Sequence, residues 1–464
     1  MSVSCTQDRC YEFAASLAPA ATQFAYTHGI VRYTKDLSRV VPLPMSLSPW
    51  RADPQMVKDT REITPVYNRL YARVSAQREF LAEGLASARK VDPFVARLFD
   101  CLPRTLPEKP EFFINRNDCM PHVEGGEVVP KQVEMNLMAA SLGVVSAKVN
   151  RMHRYLYAET ELADQFYVNN AGDDLVDTFV QAWKLIGSKD SVLLWIVDPG
   201  EPNIFDMRAT ETRLVVDHGI PLLRCSLDEL GSEGSLQSGD LHFRGRKVAI
   251  AYFRIGYAPT HYTTANCWKA RELIEASSAV SVPSVSVQLA NMKKFQHILA
   301  DPSTLRRFVD DREARQLERT FVRFARLEDE LDWRGQFGKA RDLAIAHPDD
   351  FVMKPHREGG ANNFFGSEMV AQLKTLSVEE SEAFILMEMI RQEPFRSIRL
   401  VNGQVEDGLC FTELGVFGVY LSPGPGAEPL LNREGGYLLR TKDQANKEGL
   451  VLGGFSFMDS VSTP

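Results

Sequence analysis

The chain has 464 residues, enough for two or three domains around a large core. Hydrophobic residues are 44% and charged residues 25%, which is the make-up of an ordinary globular protein and not of a disordered or membrane-spanning chain. The net charge of −8 argues against long contacts with a nucleic-acid backbone, which need a basic surface, but leaves room for a small anionic ligand. Residues 1–105 read as mainly helical: the run from Val66, VYNRLYARVSAQREFLAEGLASA, spaces its apolar residues three and four apart, and so does VARLFDCL from Val95. PRTLPEKP then breaks the pattern, and two strands follow, EFFINRND from Glu111 and PKQVEMNLM from Pro130, joined across Gly125–Gly126. From about Ser188 strands and helices alternate: SVLLWIVD, FDMRATETRLVVDHG, PLLRCS, KVAIAYFR, CWKARELIEASSAV and a short strand SVSVQL. That alternation predicts a doubly wound α/β unit with a mostly parallel sheet. KKFQHILADPSTLRRFV is helical again, and from Phe351 the chain is rich in strands: FVMKP, FILMEMI, a hairpin across Asn402–Gly403, and FTELGVFGVYLS.

The seven cysteines are scattered and contain no CxxC pair, and the nine histidines contain no HExxH. This favours reduced thiols over a disulfide framework or a zinc site. No apolar run reaches membrane-spanning length, and MSVSCTQDRCYEFAASLAP lacks the pattern of a signal peptide. A cytoplasmic protein is therefore expected, or a secreted one if a leader has been removed. No Ser-His-Asp order, nucleophile elbow or Walker loop is present.

The chemistry-bearing patterns lie on the strands and in one loop. In KQVEMN, alternation predicts Gln132, Glu134 and Asn136 on one face and Val133 and Met135 on the other, with Glu134 and Asn136 about 7 Å apart. A carboxylate and an amide oxygen so placed suit Mg2+, which takes hard oxygen donors; a polar face on an edge strand would look the same. KPHREGGANN follows a buried strand with Lys354 for phosphate, Glu358 for a metal, Gly359 and Gly360 for close backbone approach, and Asn363 for another oxygen; a surface turn is the alternative. Arg116 and Asp118 alternate along FFINRND, and Arg440 and Lys442 along LLRTK; singly, each is a common solvated charge. Lys293 and Lys294 open a helix, and GLVLGG from Gly449 reads as a flexible loop or a turn. Cations, acids and a glycine loop together suit nucleotide and Mg2+ chemistry.

The order INRND, KQVEMN, PNIFDMR, YFRIGY, QLANMKK, FVMKPHREGGANN, ILME, ELGVFGVY and LLRTK, ending in a glycine-rich tail, resembles eukaryotic glutathione synthetase over nearly the whole chain. The resemblance implies an ATP-grasp fold (α/β, or α+β) with an inserted doubly wound α/β substrate-binding lobe and a helical N-terminal region. It implies three segments: 1–187, 188–290 and 291–464. It implies a homodimer that joins γ-glutamylcysteine to an amino-acid acceptor, glycine, with ATP and Mg2+, and has no nucleic-acid or membrane partner. By motif, Glu134, Asn136 and Glu358 match the magnesium ligands. Met120, Lys293, Lys354, Gly359, Gly360, Asn363, Met387, Glu388, Glu413 and Lys442 match the nucleotide side. Arg116 and Arg440 match catalytic arginines. Ser141, Glu201, Asn203, Met207, Arg254, Tyr257, Val451 and Leu452 match the peptide and acceptor side.

The departures from the family pattern cluster by role. Metal and phosphate positions are kept, apart from Ala361, which replaces a glycine of the loop and would be strained if its φ is positive. Phe365 and Met389 replace a tyrosine-like hydroxyl and a lysine, and Leu137 and Ala139 replace hydroxyl residues. Met207 stands where glutamine is usual, Ile255 where aspartate is usual, and Leu452 where a small residue is usual. The expectation is an ATP-dependent amide ligase that makes glutathione weakly or uses another thiol dipeptide or acceptor. The rivals are an effector-like protein that binds nucleotide or peptide without turnover, and an ATP-grasp enzyme acting on an unrelated carboxylate.

Overall fold

A computed structural model describes residues 7–356, 363–445, 451 and 456–463, the side chains of residues 7–9 excepted. Its largest sheet has seven strands in the order Phe395–Val401, Met45–Ser46, Phe457–Asp459, Leu431–Asp443, Gln404–Ser422, Glu111–Glu124 and Glu127–Asn136. Two tight hairpins set its register. Gly125 and Gly126 turn at φ 61° and 87°, and Asn402 and Gly403 at φ 50° and 79°. Positive φ at both central residues matches the right-handed twist of the flanking strands, which is why Gly and Asn occupy these positions.

The second sheet is the α/β unit. Leu222–Cys225, Ser191–Ile196, Arg246–Phe253 and Val280–Val282 are parallel neighbours, and Asp240–Phe243 and Ser235–Gln237 extend it antiparallel. Ser191–Ile196, Arg246–Phe253 and Val280–Val282 are buried almost throughout, as apolar runs covered on both faces should be, while Leu222–Cys225 is half-buried up to Cys225. A third sheet of four strands joins Phe324–Ala325, Phe384–Glu388, Phe351–Pro355 and Phe364–Phe365. The whole is a mixed α/β structure of several sheets.

Three sequence expectations need correction. SVSVQL is not a strand: Val280–Val282 is the strand and Val285–Ala290 is a helix with all six residues buried. The Ser284 hydroxyl accepts from the Val287 N–H and starts that helix, so capping outweighed the β-branched valines. The helical run from Val66 also divides. One helix begins at Pro54, capped by the Asp53 carboxylate, which accepts from the Met56 N–H; it ends at Ser75, and a second spans Arg78–Gly84. Finally, the first hundred residues are mainly helical, as expected, but they also hold short strands that the pattern does not announce. Met45–Ser46 and Trp50–Arg51 are strands whose partners come from the far end of the chain, Met45 beside Met458 and Trp50 beside Val461.

Candidate active site

The site is built on the hairpin Glu111–Glu124 and Glu127–Asn136. Asp118 lies opposite Glu134, but the next pair is Cys119 with Gln132, so Val133 is an extra residue, a β-bulge. The bulge has two consequences. Gln132 does not share a face with Glu134 and Asn136, as strict alternation predicts; its amide donates to Asn117 Oδ1 at 2.9 Å, on the other side of the sheet. The Val133 carbonyl, released from the regular ladder, accepts from Lys354 Nζ at 3.1 Å. The bulge thereby ties the seven-stranded sheet to the four-stranded one.

Glu134 faces that junction. Lys293 Nζ, at the first turn of the helix Lys293–Leu299, lies 3.2 Å from Glu134 Oε2. Burial alone would raise the Glu134 pKa, but Lys293, Lys354 and Arg440 outweigh it and hold the carboxyl down at about 2. It is thus ionised at any physiological pH. Lys354 is 4% exposed, and burial lowers its pKa to about 8 despite Glu134 nearby; Lys293 and Lys442 add to the lowering. A buried lysine whose charge burial disfavours, set among further cations, is suited to receive an anion.

The remaining polar face belongs to one network. Arg116 donates to Asp118 Oδ1 at 2.6 Å and to Oδ2 at 2.8 Å. Asn136 Nδ2 and Arg440 Nη2 donate to Asp118 Oδ2 at 2.9 Å and 2.8 Å, and Arg440 also pairs with Glu413. Lys442 follows Arg440 on the same face and is 8% exposed. Met120 follows Asp118 on its strand and is half-buried.

The four-stranded sheet supplies an apolar slot. Met387 is buried with Val322 and Val352, and Phe365, Met389 and Ile390 close around them. Glu388 stands opposite Phe351, and its N–H donates to the Arg323 carbonyl at 2.9 Å. Asn363 is half-buried at the edge of the described chain. Glu358, Gly359, Gly360, Ala361 and Leu452 lie outside the described residues.

The predicted peptide side comes from the α/β unit and the segment after Asn136. Arg254 Nη1 donates to the Ala140 carbonyl at 2.7 Å and to Tyr252 Oη at 3.1 Å, leaving Nε buried and without a partner. Asn203 Oδ1 is likewise buried and unpartnered, while its N–H donates to Glu201 at 2.8 Å. Met207 and Arg254 line one cavity with Asp206, Tyr252 and Trp195. Tyr257 packs edge-on against His261, and the Arg116 guanidinium reaches the Ser141 carbonyl at 3.5 Å. Ile255 and Val451 are in the apolar core, at 7% and 2% exposure.

The sequence underrated three residues. Asp118 was legible only as the partner of Arg116 in alternation, yet it gathers three side chains. Asp206 caps the helix Gly143–Leu156 from a distance, accepting from the N–H groups of Leu142 and Val145 at 2.9 and 3.1 Å. Gly415 faces Asp118 across the sheet, and a β-carbon there would lie 2.3 Å from Asp118 Oδ1 and 2.7 Å from Arg116 Cδ. Gly415→Ala should therefore destabilise the protein by about 1–3 kcal/mol and displace the Arg116–Asp118 pair. Thermal melting and ATP turnover measured together check this; an alanine variant with normal values for both would show that the pair can shift freely.

Among the described residues no three His, Cys, Asp or Glu side chains form a metal cage. The donors present are the Glu134 carboxylate and the Asn136 amide oxygen, hard oxygens that fit Mg2+ as part of a set that needs a further ligand. No described helix is long and apolar enough to cross a membrane.

Comparison with known proteins gives a single answer. The family described as eukaryotic glutathione synthase, ATP binding domain, matches residues 12–462. The glutathione synthetase of Bos taurus is 35% identical over 459 residues, which is 96% of each chain. The chloroplastic glutathione synthetase of Solanum lycopersicum is 34% identical over 436 residues, covering 91% of this chain and 78% of the relative. Among solved structures, a glutathione synthetase-like effector from Globodera pallida, in its apo form, superposes with a TM-score of 0.77 over 98% of this chain and 97% of its own, at 19% identity. That last likeness concerns the fold, and it is of the ATP-grasp type. By sequence over its whole length and by architecture, the chain belongs to the eukaryotic glutathione synthetase family of ATP-dependent ligases.

Proposed function

We propose that the chain joins γ-glutamylcysteine, or a related thiol dipeptide, to an amino-acid acceptor through an acyl phosphate, at the expense of ATP. The observation that carries this reading is the junction of Glu134, Lys293 and Lys354, where a carboxylate kept ionised lies beside two lysines at the meeting of two sheets. Lys354 and Lys293 would hold phosphate oxygens, and the apolar slot around Met387 would take the base. Glu134 and Asn136, with Glu358, would hold Mg2+, which when bound supplies neutralisation of phosphate charge. The dipeptide carboxylate would attack the γ-phosphorus and release ADP. The acceptor amine would then attack the acyl carbon, and phosphate would leave. Arg116 and Arg440 orient and neutralise the reacting anions, while Arg254 Nε and Asn203 Oδ1 offer unused hydrogen-bonding capacity to the peptide.

The acceptor side supports altered specificity. Met207 is 2% exposed and shares its cavity with the unpartnered Arg254 Nε and Trp195 Nε1, groups that a glutamine could satisfy. Ile255 buries an apolar side chain beside Arg254. Weak synthesis of glutathione itself follows. Phosphate release with ATP, Mg2+ and γ-glutamylcysteine, glycine compared with other amines, tests both points. Slow turnover with glycine, raised several-fold by Met207→Gln, is expected; turnover equal to that of an ordinary family member would remove the divergent reading. No phosphate release with any thiol dipeptide or amine would favour the second reading, a nucleotide- or peptide-binding effector, which Met389 in the apolar slot in place of a lysine also favours. A homodimer and a cytoplasmic location belong to the same proposal; the six described cysteines form no disulfide, in keeping with a reducing compartment.

A further inference from the structure

We propose that Asp118 is the positioning residue of the metal site: it turns the Asn136 amide so that the oxygen is offered to the cation, and it keeps two arginines off Glu134. This rests on reading Glu134 and Asn136 as cation ligands. A carboxylate only accepts hydrogen bonds, so the Asn136 atom 2.9 Å from Asp118 Oδ2 is the NH2 group. The planar amide then directs Oδ1 away from Asp118. Among the described residues, no other hydrogen bond fixes the orientation of the Asn136 amide. Asp118 is 0% exposed, and its two oxygens accept four donors: Arg116 twice, Asn136 and Arg440. Three of these donors converge on Oδ2, the oxygen that Asn136 shares with both arginines, and Oδ1 is held by Arg116, so the buried carboxylate is committed to its neighbours and acts through them.

The second part of the role is electrostatic. Asp118 and Glu134 stand directly opposite each other on adjacent strands, where like charges repel. The arrangement is stable because the cations are divided between them. Arg116 and Arg440 pair with Asp118, and Lys293 pairs with Glu134. Arg440, held by Asp118 and Glu413, is one of the cations that surround Glu134. With Asp118 neutralised, a guanidinium would be free to move onto Glu134 and compete with the metal for it. Gly415 leaves the space in which the Asp118–Arg116 pair lies.

Mn2+ is the probe, followed by its electron paramagnetic resonance signal as it binds to the full chain with a non-hydrolysable ATP analogue. Asn136→Ala tests the underlying reading, and its affinity for Mn2+ should fall at least tenfold. Asp118→Asn should lower Mn2+ affinity ten- to a hundredfold, the usual size of an effect exerted through a ligand's partner. In Asn136→Asp, which leaves Asp118 in place and decides the matter should Asp118→Asn fail to fold, a second carboxylate would face Asp118 and no donor would hold it. Mn2+ affinity should therefore fall, although the variant adds a negative charge that by itself would attract the cation. Tighter Mn2+ binding by Asn136→Asp than by wild type overturns the proposal. So does unchanged binding by a folded Asp118→Asn when Asn136→Ala has lost it. If Asn136→Ala binds Mn2+ as wild type does, the ligand assignment itself is wrong and the role of Asp118 falls with it.

Discussion

Glu134→Ala is expected to lower ATP turnover at least about a hundredfold while the protein stays folded. The first part follows from what this carboxylate does to its neighbours. It lies 3.2 Å from Lys293 Nζ, and its charge is one of the influences that keep Lys354 protonated. Without it, Glu413 is left to oppose burial and the charges of Lys293 and Lys442, and the Lys354 pKa falls below about 8. On the proposed reading, the variant therefore loses a metal ligand and also part of the positive charge that would meet phosphate. Groups aimed at developing charge in an enclosed site are each worth a factor of roughly 10² to 10³ in rate. The second part follows from exposure. The Glu134 side chain is 27% exposed on a strand at the edge of its sheet, and among the described residues no backbone group donates to it. Phosphate release and thermal melting should be measured on the same preparation. A folded variant with wild-type turnover would remove Glu134 from the site. Glu358→Ala, at the position the family resemblance pairs with it, should behave alike.

ATP affinity is expected to fall steeply with pH above about 8, approaching tenfold per unit, and the decline should vanish in Lys354→Met. Lys354 has its pKa lowered to about 8, chiefly by burial. Polyphosphate beside it would favour the charged form, so binding takes up a proton wherever the free protein has lost one. Below pH 8 the lysine is already charged and affinity is level. Above it, each binding event must also protonate Lys354. The same shift fixes the sign for the ligand-free protein. Its folded pKa lies below the ordinary lysine value, so between about pH 8 and 10.4 the folded state holds fewer protons than the unfolded state, and this residue's contribution to stability rises with pH. The cost of burying the charge is fully present below pH 8. It amounts to about 3 kcal/mol across that window, at about 1.4 kcal/mol per unit. Calorimetric titration with ATP in buffers of different ionisation enthalpy reads the proton uptake directly. Affinity that stays level to pH 9.5, or a decline that persists in Lys354→Met, would sink the assignment.

These two residues illustrate what a linear pattern conveys and what it leaves out. KQVEMN announces Glu134 and Asn136 as oxygen donors, and FVMKP announces a buried strand ending in a lysine. Neither segment says that the two meet. They meet because an extra residue at Val133 breaks the ladder and leaves a carbonyl for Lys354, 221 positions away. The same bulge moved Gln132 to the opposite face, which strict alternation could not foresee. Ser284, by contrast, carried a local signal that was legible in principle: a helix cap before a run of valines.

The sequence by itself determined the family, the α/β alternation of the middle of the chain, the two glycine and asparagine turns, and the kinds of chemical group available. Those are properties of residue type and local spacing, and local physics is written in local sequence. Tertiary structure alone decided how the groups are used. Asp118 looked like half of an ordinary surface pair, yet it is fully buried and gathers Arg116, Asn136 and Arg440 from three strands. Gly415 looked like one glycine of ELGVFG, yet it leaves the room in which that carboxylate lies. Met45 and Trp50 are strand residues only because Met458 and Val461 come back to pair with them. Each of these outcomes depends on which distant strand lies alongside, and a hydrogen-bond partner hundreds of residues away leaves no mark on the spacing of its neighbours.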